Sequence, residues 1–93
     1  MITIDYKALK SALATPEKIA IIPHRNPDGD AIGSTLALYH YLKQLGHEAV
    51  VISPNEAPSF LHWMPGFETV LNFESDRDLA IKTLEEASFV FTL

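Results

Sequence analysis

The fold follows from Ile19-Ala20-Ile21-Ile22-Pro23-His24-Arg25-Asn26-Pro27-Asp28-Gly29-Asp30-Ala31-Ile32-Gly33-Ser34. It opens with an unbroken apolar run after Lys18. A strand with one wet face alternates polar and apolar residues. A continuous run suits a strand buried on both faces, as in a parallel sheet covered by helices. Pro23 ends the strand because it has no N–H for the ladder. A polar loop follows, and Ala31 to Leu45 then shows helical spacing. Ile32, Leu36 and Tyr39 form one row; Ala31, Leu38, Leu42 and Leu45 form another. Together they make the wide apolar stripe of a helix packed on a sheet. Gly46 fits the position after a helix end.

Outward from this unit the same alternation continues. Ala49-Val50-Val51-Ile52 predicts a second strand closed by Ser53-Pro54, and Phe89 to Leu93 a third. Tyr6, Leu9 and Leu13 predict a short helix over residues 5–14, with Asp5 near its start and Thr15-Pro16 as its stop. Pro58 to Met64 suits one or two helical turns, Pro65-Gly66 a turn, and Val70-Leu71 a short extended piece. Ser75-Asp76-Arg77-Asp78 resembles a capping sequence for a helix to Ala87, with Ala80, Leu84 and Ala87 on one side. Strands alternating with helices imply an α/β fold: a partial Rossmann-like, doubly wound parallel sheet of three strands with flanking helices. In such sheets ligands bind beyond the carboxyl ends of the strands, near a switch in strand order. The His24–Ser34 loop leaves the first strand at that edge.

Composition bounds the chemistry. The chain has 93 residues, 47% of them hydrophobic, which suits one packed domain and argues against disorder. No cysteine is present, so disulfides and thiolate metal sites are excluded. No apolar run approaches the roughly 20 residues of a membrane-spanning helix, and the first ten residues do not read as a signal peptide. A cytoplasmic protein with no membrane partner is expected. The net charge of −5 and the scattered basic residues disfavour broad nucleic-acid binding. An anionic ligand would need bound cations to supply the positive field.

The loop carries one imidazole and two carboxylates within seven residues, His24, Asp28 and Asp30. Pro27 and Gly29 shape the turn; Gly33 and Ser34 are small enough for a close approach to the first turn of the helix. Mixed nitrogen and carboxylate donors suit Mn²⁺, Fe²⁺ or Zn²⁺ more than Ca²⁺. An EF-hand reading from Asn26 fails at Ala31, where Gly is needed, and at Ala37, where Glu is needed. The loop is neither a P-loop nor a dinucleotide fingerprint, since the glycine spacing is wrong for both. Read as a plain turn, it places Asp30 as the helix N-cap and Asp28 near the helix dipole, an arrangement compatible with metal binding.

The whole string resembles the first motif of the DHH-family phosphoesterases, H-x-N-P-D-G-D-A-x-G-S. His24, Asn26, Pro27, Asp28, Gly29, Asp30, Ala31, Gly33 and Ser34 match every fixed position. Within the family it is most similar to the bacterial oligoribonuclease and 3′-phosphoadenosine-5′-phosphate phosphatase type, an exonuclease-like activity. The wider superfamily includes exopolyphosphatases, family II pyrophosphatases and cyclic dinucleotide phosphodiesterases. The resemblance implies two Mn²⁺ ions in the complete enzyme, with Mg²⁺ or Co²⁺ as alternatives. His24 and Asp28 would ligate one ion and Asp30 the other, making these three the catalytic set. Asn26, Gly29, Gly33 and Ser34 would support the loop. The implied substrates are short oligoribonucleotides or small phosphorylated nucleotides, hydrolysed at phosphodiester or phosphomonoester bonds.

Three ligands do not hold two metals. In the family a second aspartate motif lies just beyond the strand equivalent to Phe89–Leu93. An Asp-His-His motif and a glycine-rich C-terminal substrate-binding domain follow. None is in this sequence, so residues 1–93 are expected to be the N-terminal part of a DHH catalytic domain, inactive alone. The alternatives are hydrolysis of polyphosphate or pyrophosphate, and a non-catalytic metal- or nucleotide-binding α/β module. A severed sheet leaves apolar edges, so a homodimer of the piece is also expected. His40 and His47 are expected on the solvated surface, and His62 and Trp63 to pack or line a surface.

Overall fold

The computed structural model describes residues 14–25 and 28–93. The helix expected over residues 5–14 lies, but for its last residue, outside that range, as does Asn26.

The apolar run becomes β1 (Lys18–Ile22), and the four-residue run beyond the long helix becomes β2 (Glu48–Ser53). β4 (Phe89–Thr92) pairs with the other side of β1. A two-residue strand, β3 (Leu71–Asn72), pairs with Ile52 and Ser53. The sheet therefore has four strands rather than the expected three, because Leu71 and Asn72 add to the free edge of β2. All pairings are parallel, in the order β3-β2-β1-β4. β1 is central, which explains why Ile19, Ala20 and Ile21 are at most 1% exposed.

The two faces of β1 meet different helices. Ile19 and Ile21 pack with Ala49 and Val51 against Ile32, Leu36, Tyr39 and Leu42 of α1 (Gly29–Gln44). Ala20 and Ile52 pack against Ala80 of α2 (Arg77–Glu86). Ala20 and Ala80 are both fully buried, and their small size lets α2 lie close to the sheet. Helices on both faces confirm the doubly wound reading. The strand order runs outward from β1 through β2 to β3, then returns to the far side of β1 for β4. The reversal thus falls between β1 and β4, where Ile22 pairs with Thr92.

Several local expectations change. α1 begins at Gly29, two residues before Ala31, because Asp28 and not Asp30 is the N-cap. Asp28 has extended backbone and its Oδ1 accepts from Ala31 N at 2.9 Å. Asp30 instead sits in the first turn of the helix. At the other end Gly46 takes φ +94°, and Gly46 N and His47 N donate to the carbonyls of Lys43 and Leu42. This turn drives His47 inward, so it is 5% exposed rather than solvated. Its Nδ1 accepts from the Glu17 amide at 3.1 Å. Asp76 precedes α2 without capping it: its carboxylate is drawn back to the Asn72 amide at 3.0 Å by the tight turn out of β3. Residues 58–69 form two single 3₁₀ turns, Ser59–Leu61 and Phe67–Thr69, around Pro65-Gly66. Among the described residues no helix is long and apolar enough to cross a membrane.

Candidate functional site

β1 ends at Ile22, and Leu93 N still donates to the Ile22 carbonyl at 3.0 Å. The chain then leaves through Pro23, His24 and Arg25, and Asp28 precedes the first turn of α1. His24, Asp28 and Asp30 are therefore all carried at the carboxyl edge of the sheet, beside the reversal of strand order. This is the place where open α/β sheets bind ligands. All three are exposed, as is Ser34; Gly29 and Gly33 are half-buried.

Each side chain has a defined local role. His24 Nδ1 lies 2.9 Å from the Arg25 carbonyl oxygen. A carbonyl only accepts, so Nδ1 donates and the neutral ring keeps its lone pair on Nε2. That is how metal-binding histidines are commonly set: one ring nitrogen donates to backbone while the other faces the ion. Asp28 spends one oxygen on the helix cap, and a carboxylate has a second to offer. Asp30, in the first turn, adds a charge that the helix dipole favours. An imidazole nitrogen and two carboxylates are donors that fit Mn²⁺. The structure places them on one loop without closing them around a point: among the described residues no three His, Asp or Glu side chains are gathered in a metal-binding arrangement.

The surroundings include features the sequence did not display. Tyr39 is core, but Tyr41 is exposed. His40 is exposed as expected, yet its Nε2 donates to the Pro65 carbonyl at 2.8 Å. His62 stacks on Phe67 at 4.4 Å between ring centroids. Trp63 is 75% exposed and faces an apolar groove of about 220 Å³, lined on the α1 side by Gly33, Ala37 and His40. Gly33 and Trp63 stand thirty positions apart, so only the smallness of Gly33 hinted at a groove.

Comparison with known proteins shows the family to which this fold belongs. The family described as "DHH family, N-terminal domain" matches residues 18–92, from the first residue of β1 to the last of β4. A bifunctional oligoribonuclease and PAP phosphatase NrnA of Thermus thermophilus is 51% identical over 47 residues, covering 50% of this chain and 14% of its own. A probable manganese-dependent inorganic pyrophosphatase of Streptococcus mutans is 43% identical over 47 residues, covering 47% of this chain and 15% of its own. The crystal structure of an exopolyphosphatase-related protein from Bacteroides fragilis superposes with a TM-score of 0.89 at 39% identity. It covers 94% of this chain and 26% of that one. The chain thus spans about a quarter or less of the length of these relatives. With the match running across all four strands and the motif in its expected loop, the chain belongs to the DHH family, through that family's N-terminal domain.

Proposed function

We propose that the chain is the N-terminal part of a DHH catalytic domain that hydrolyses phosphoester bonds with bound Mn²⁺. The observation that carries this reading is the position of His24, Asp28 and Asp30 at the carboxyl edge of β1, beside the strand-order reversal, with His24 Nε2 left as the lone-pair nitrogen. By the family resemblance His24 and Asp28 would hold one ion and Asp30 a second. When bound, such ions supply positive charge against phosphate oxygens and make water a stronger nucleophile at neutral pH.

The residues of this chain do the positioning. The Asp28 cap fixes the start of α1 and so the place of Asp30 in its first turn. The Arg25 carbonyl holds the His24 ring in one tautomer. Three side chains are too few for two ions, so the remaining ligands and the substrate-binding domain would come from further polypeptide, in keeping with the 26% coverage of the solved relative. Residues 1–93 alone are then inactive. The absence of cysteine suits the cytoplasm, and the apolar β4 edge suits self-association of the isolated piece.

The substrate we assign is a short oligoribonucleotide or small nucleotide, as the name of the Thermus relative suggests. A second reading, pyrophosphate or polyphosphate, is favoured by the names of the Streptococcus and Bacteroides proteins. The test is a longer polypeptide that begins with these residues, assayed with Mn²⁺ on a dinucleotide, on 3′-phosphoadenosine-5′-phosphate and on pyrophosphate. Hydrolysis of the first two, abolished by Asp30→Ala, is the expected result; preference for pyrophosphate selects the second reading. No metal-dependent hydrolysis of any of them refutes the proposal, and Mn²⁺-dependent turnover by residues 1–93 alone refutes its fragment part.

A further inference from the structure

We infer that the groove between α1 and Trp63 seats the base of a nucleotide substrate. The inference rests on the phosphoester reading above and names the part of the substrate remote from the phosphate.

Gly33 belongs both to the motif and to the groove. It lies three residues after Asp30, so it is on the same face of α1, just under one turn or about 4.5 Å further along. Nothing lies within 4 Å of the place where a Gly33 side chain would begin, so the groove floor is open to a ligand. Ala37 continues the floor one turn on.

The opposite wall is held in place at both ends. Leu61 is buried, and its Cδ2 lies 3.7 Å from the place a Gly29 side chain would take, which sets the loop beside the helix start. At the other end the Pro65 carbonyl accepts from His40. Gly66 takes φ +90°, and a side chain there would meet the His40 ring at 3.0 Å. Trp63 lies between these anchors. It is 75% exposed, so it contributes little to the core, yet the loop that bears it is fixed on α1. A positioned, uncovered indole alongside a site is a stacking surface.

The chemistry of the groove selects the ligand. No lysine or arginine lines it, so a pyrophosphate or polyphosphate finds no lysine or arginine charge there to offset its own. A flat aromatic base does, and every base has a face that stacks on an aromatic side chain. The volume of about 220 Å³ is below the roughly 300–1,000 Å³ of pockets that enclose a whole ligand. It suits one ring system, with the sugar and phosphate outside, toward Asp30. The groove would therefore favour nucleotides over pyrophosphate without choosing strongly among bases.

Trp63 is the single tryptophan of the chain, so its fluorescence reports the groove directly. The 93-residue chain is titrated with adenosine 5′-monophosphate and, separately, with pyrophosphate, both without metal. Excitation is at the red edge of indole absorption, where adenine is transparent. Saturable quenching by the nucleotide and none by pyrophosphate is expected. Gly33→Leu, which fills open space, is expected to weaken nucleotide binding by roughly 5- to 150-fold, the range of a lost stacking contact. Its far-UV circular dichroism should stay unchanged; Ala37→Leu, filling the groove from the next turn, is the second variant if Gly33→Leu misfolds. Equal quenching by pyrophosphate, no quenching by the nucleotide, or quenching that survives both variants overturns the inference. So does a shift of Trp63 emission with protein concentration alone, which would mean that a second copy covers the groove. Because no metal is present, these outcomes are independent of whether His24, Asp28 and Asp30 bind Mn²⁺.

Discussion

Substitution of Asp28 separates two roles that one carboxylate carries. In the structure its Oδ1 accepts from Ala31 N at 2.9 Å and closes the first turn of α1. In the proposed function it is also a Mn²⁺ ligand. Asp28→Ala removes both. Loss of a capping side chain costs about 0.5–2 kcal/mol, and this cap is exposed, which points to about 1 kcal/mol. For a domain of this size that lowers Tm by roughly 4–8 °C. Asp28→Asn keeps an oxygen in the capping position and loses only the charge on the helix dipole, about 0.3–1 kcal/mol at low salt. The Asn variant should therefore be more stable than the Ala variant, and the remaining gap to wild type should shrink as salt is added. Mn²⁺ affinity should behave differently. Both variants lose the ligand, and both should weaken by at least the ~10- to 100-fold that loss of a mere supporting partner costs a metal site. Urea unfolding followed by far-UV circular dichroism measures the first effect, and calorimetric Mn²⁺ titration the second. If Asn and Ala are equally destabilising, Asp28 does not cap α1. If Asp28→Asn binds Mn²⁺ as wild type does, Asp28 is not a ligand.

Other substitutions probe the frame around the site. Gly66→Ala should cost about 1–3 kcal/mol, because φ is +90° and the new Cβ meets the His40 ring at 3.0 Å; thermal unfolding measures it, and a Tm within a degree of wild type would contradict the geometry. Leu42→Ala, at a side chain 1% exposed between α1 and the sheet, should cost about 2–5 kcal/mol by chemical denaturation. Trp63→Ala should leave stability within about 0.5 kcal/mol, since the indole is 75% exposed; a larger loss would make Trp63 part of the core.

The parts of the fold written in the sequence are those where one residue type has one physical outcome. The Ile19–Ile22 run could be satisfied only by a strand with both faces covered, and α1 follows from its apolar stripe. β3 was legible only as a short extended piece at Val70-Leu71, one residue early; that Leu71-Asn72 joins the sheet depends on the free edge that β2 offers. The cap passed from Asp30 to Asp28 because both are aspartates and cap equally well, so the choice depends on where the chain leaves the turn. The burial of His47 is not encoded in its local spacing, because its hydrogen-bond partner, the Glu17 amide, is brought to it by the pairing of β1 with β2. The candidate site divides in the same way. The identities and order of His24, Asp28 and Asp30 were plain, and the fold puts them at the expected edge. Their closure around a metal, and the meeting of Gly33 with Trp63, depend on contacts that sequence spacing does not encode.

In the proposed function the loop after β1 and the first turn of α1 hold Mn²⁺ through His24, Asp28 and Asp30. Mn²⁺ is paramagnetic and erases nuclear magnetic resonance signals near it, so substoichiometric Mn²⁺ added to the isotope-labelled chain reads out the site without any activity. The amide signals flanking His24, Asp28 and Asp30 should disappear first, while those of Lys18, Glu48 and Glu86 persist at the opposite edge of the sheet, where Lys18 lies 3.5 Å from Glu86. First loss at that opposite edge, or uniform loss over the acidic surface, would refute Mn²⁺ binding by His24, Asp28 and Asp30.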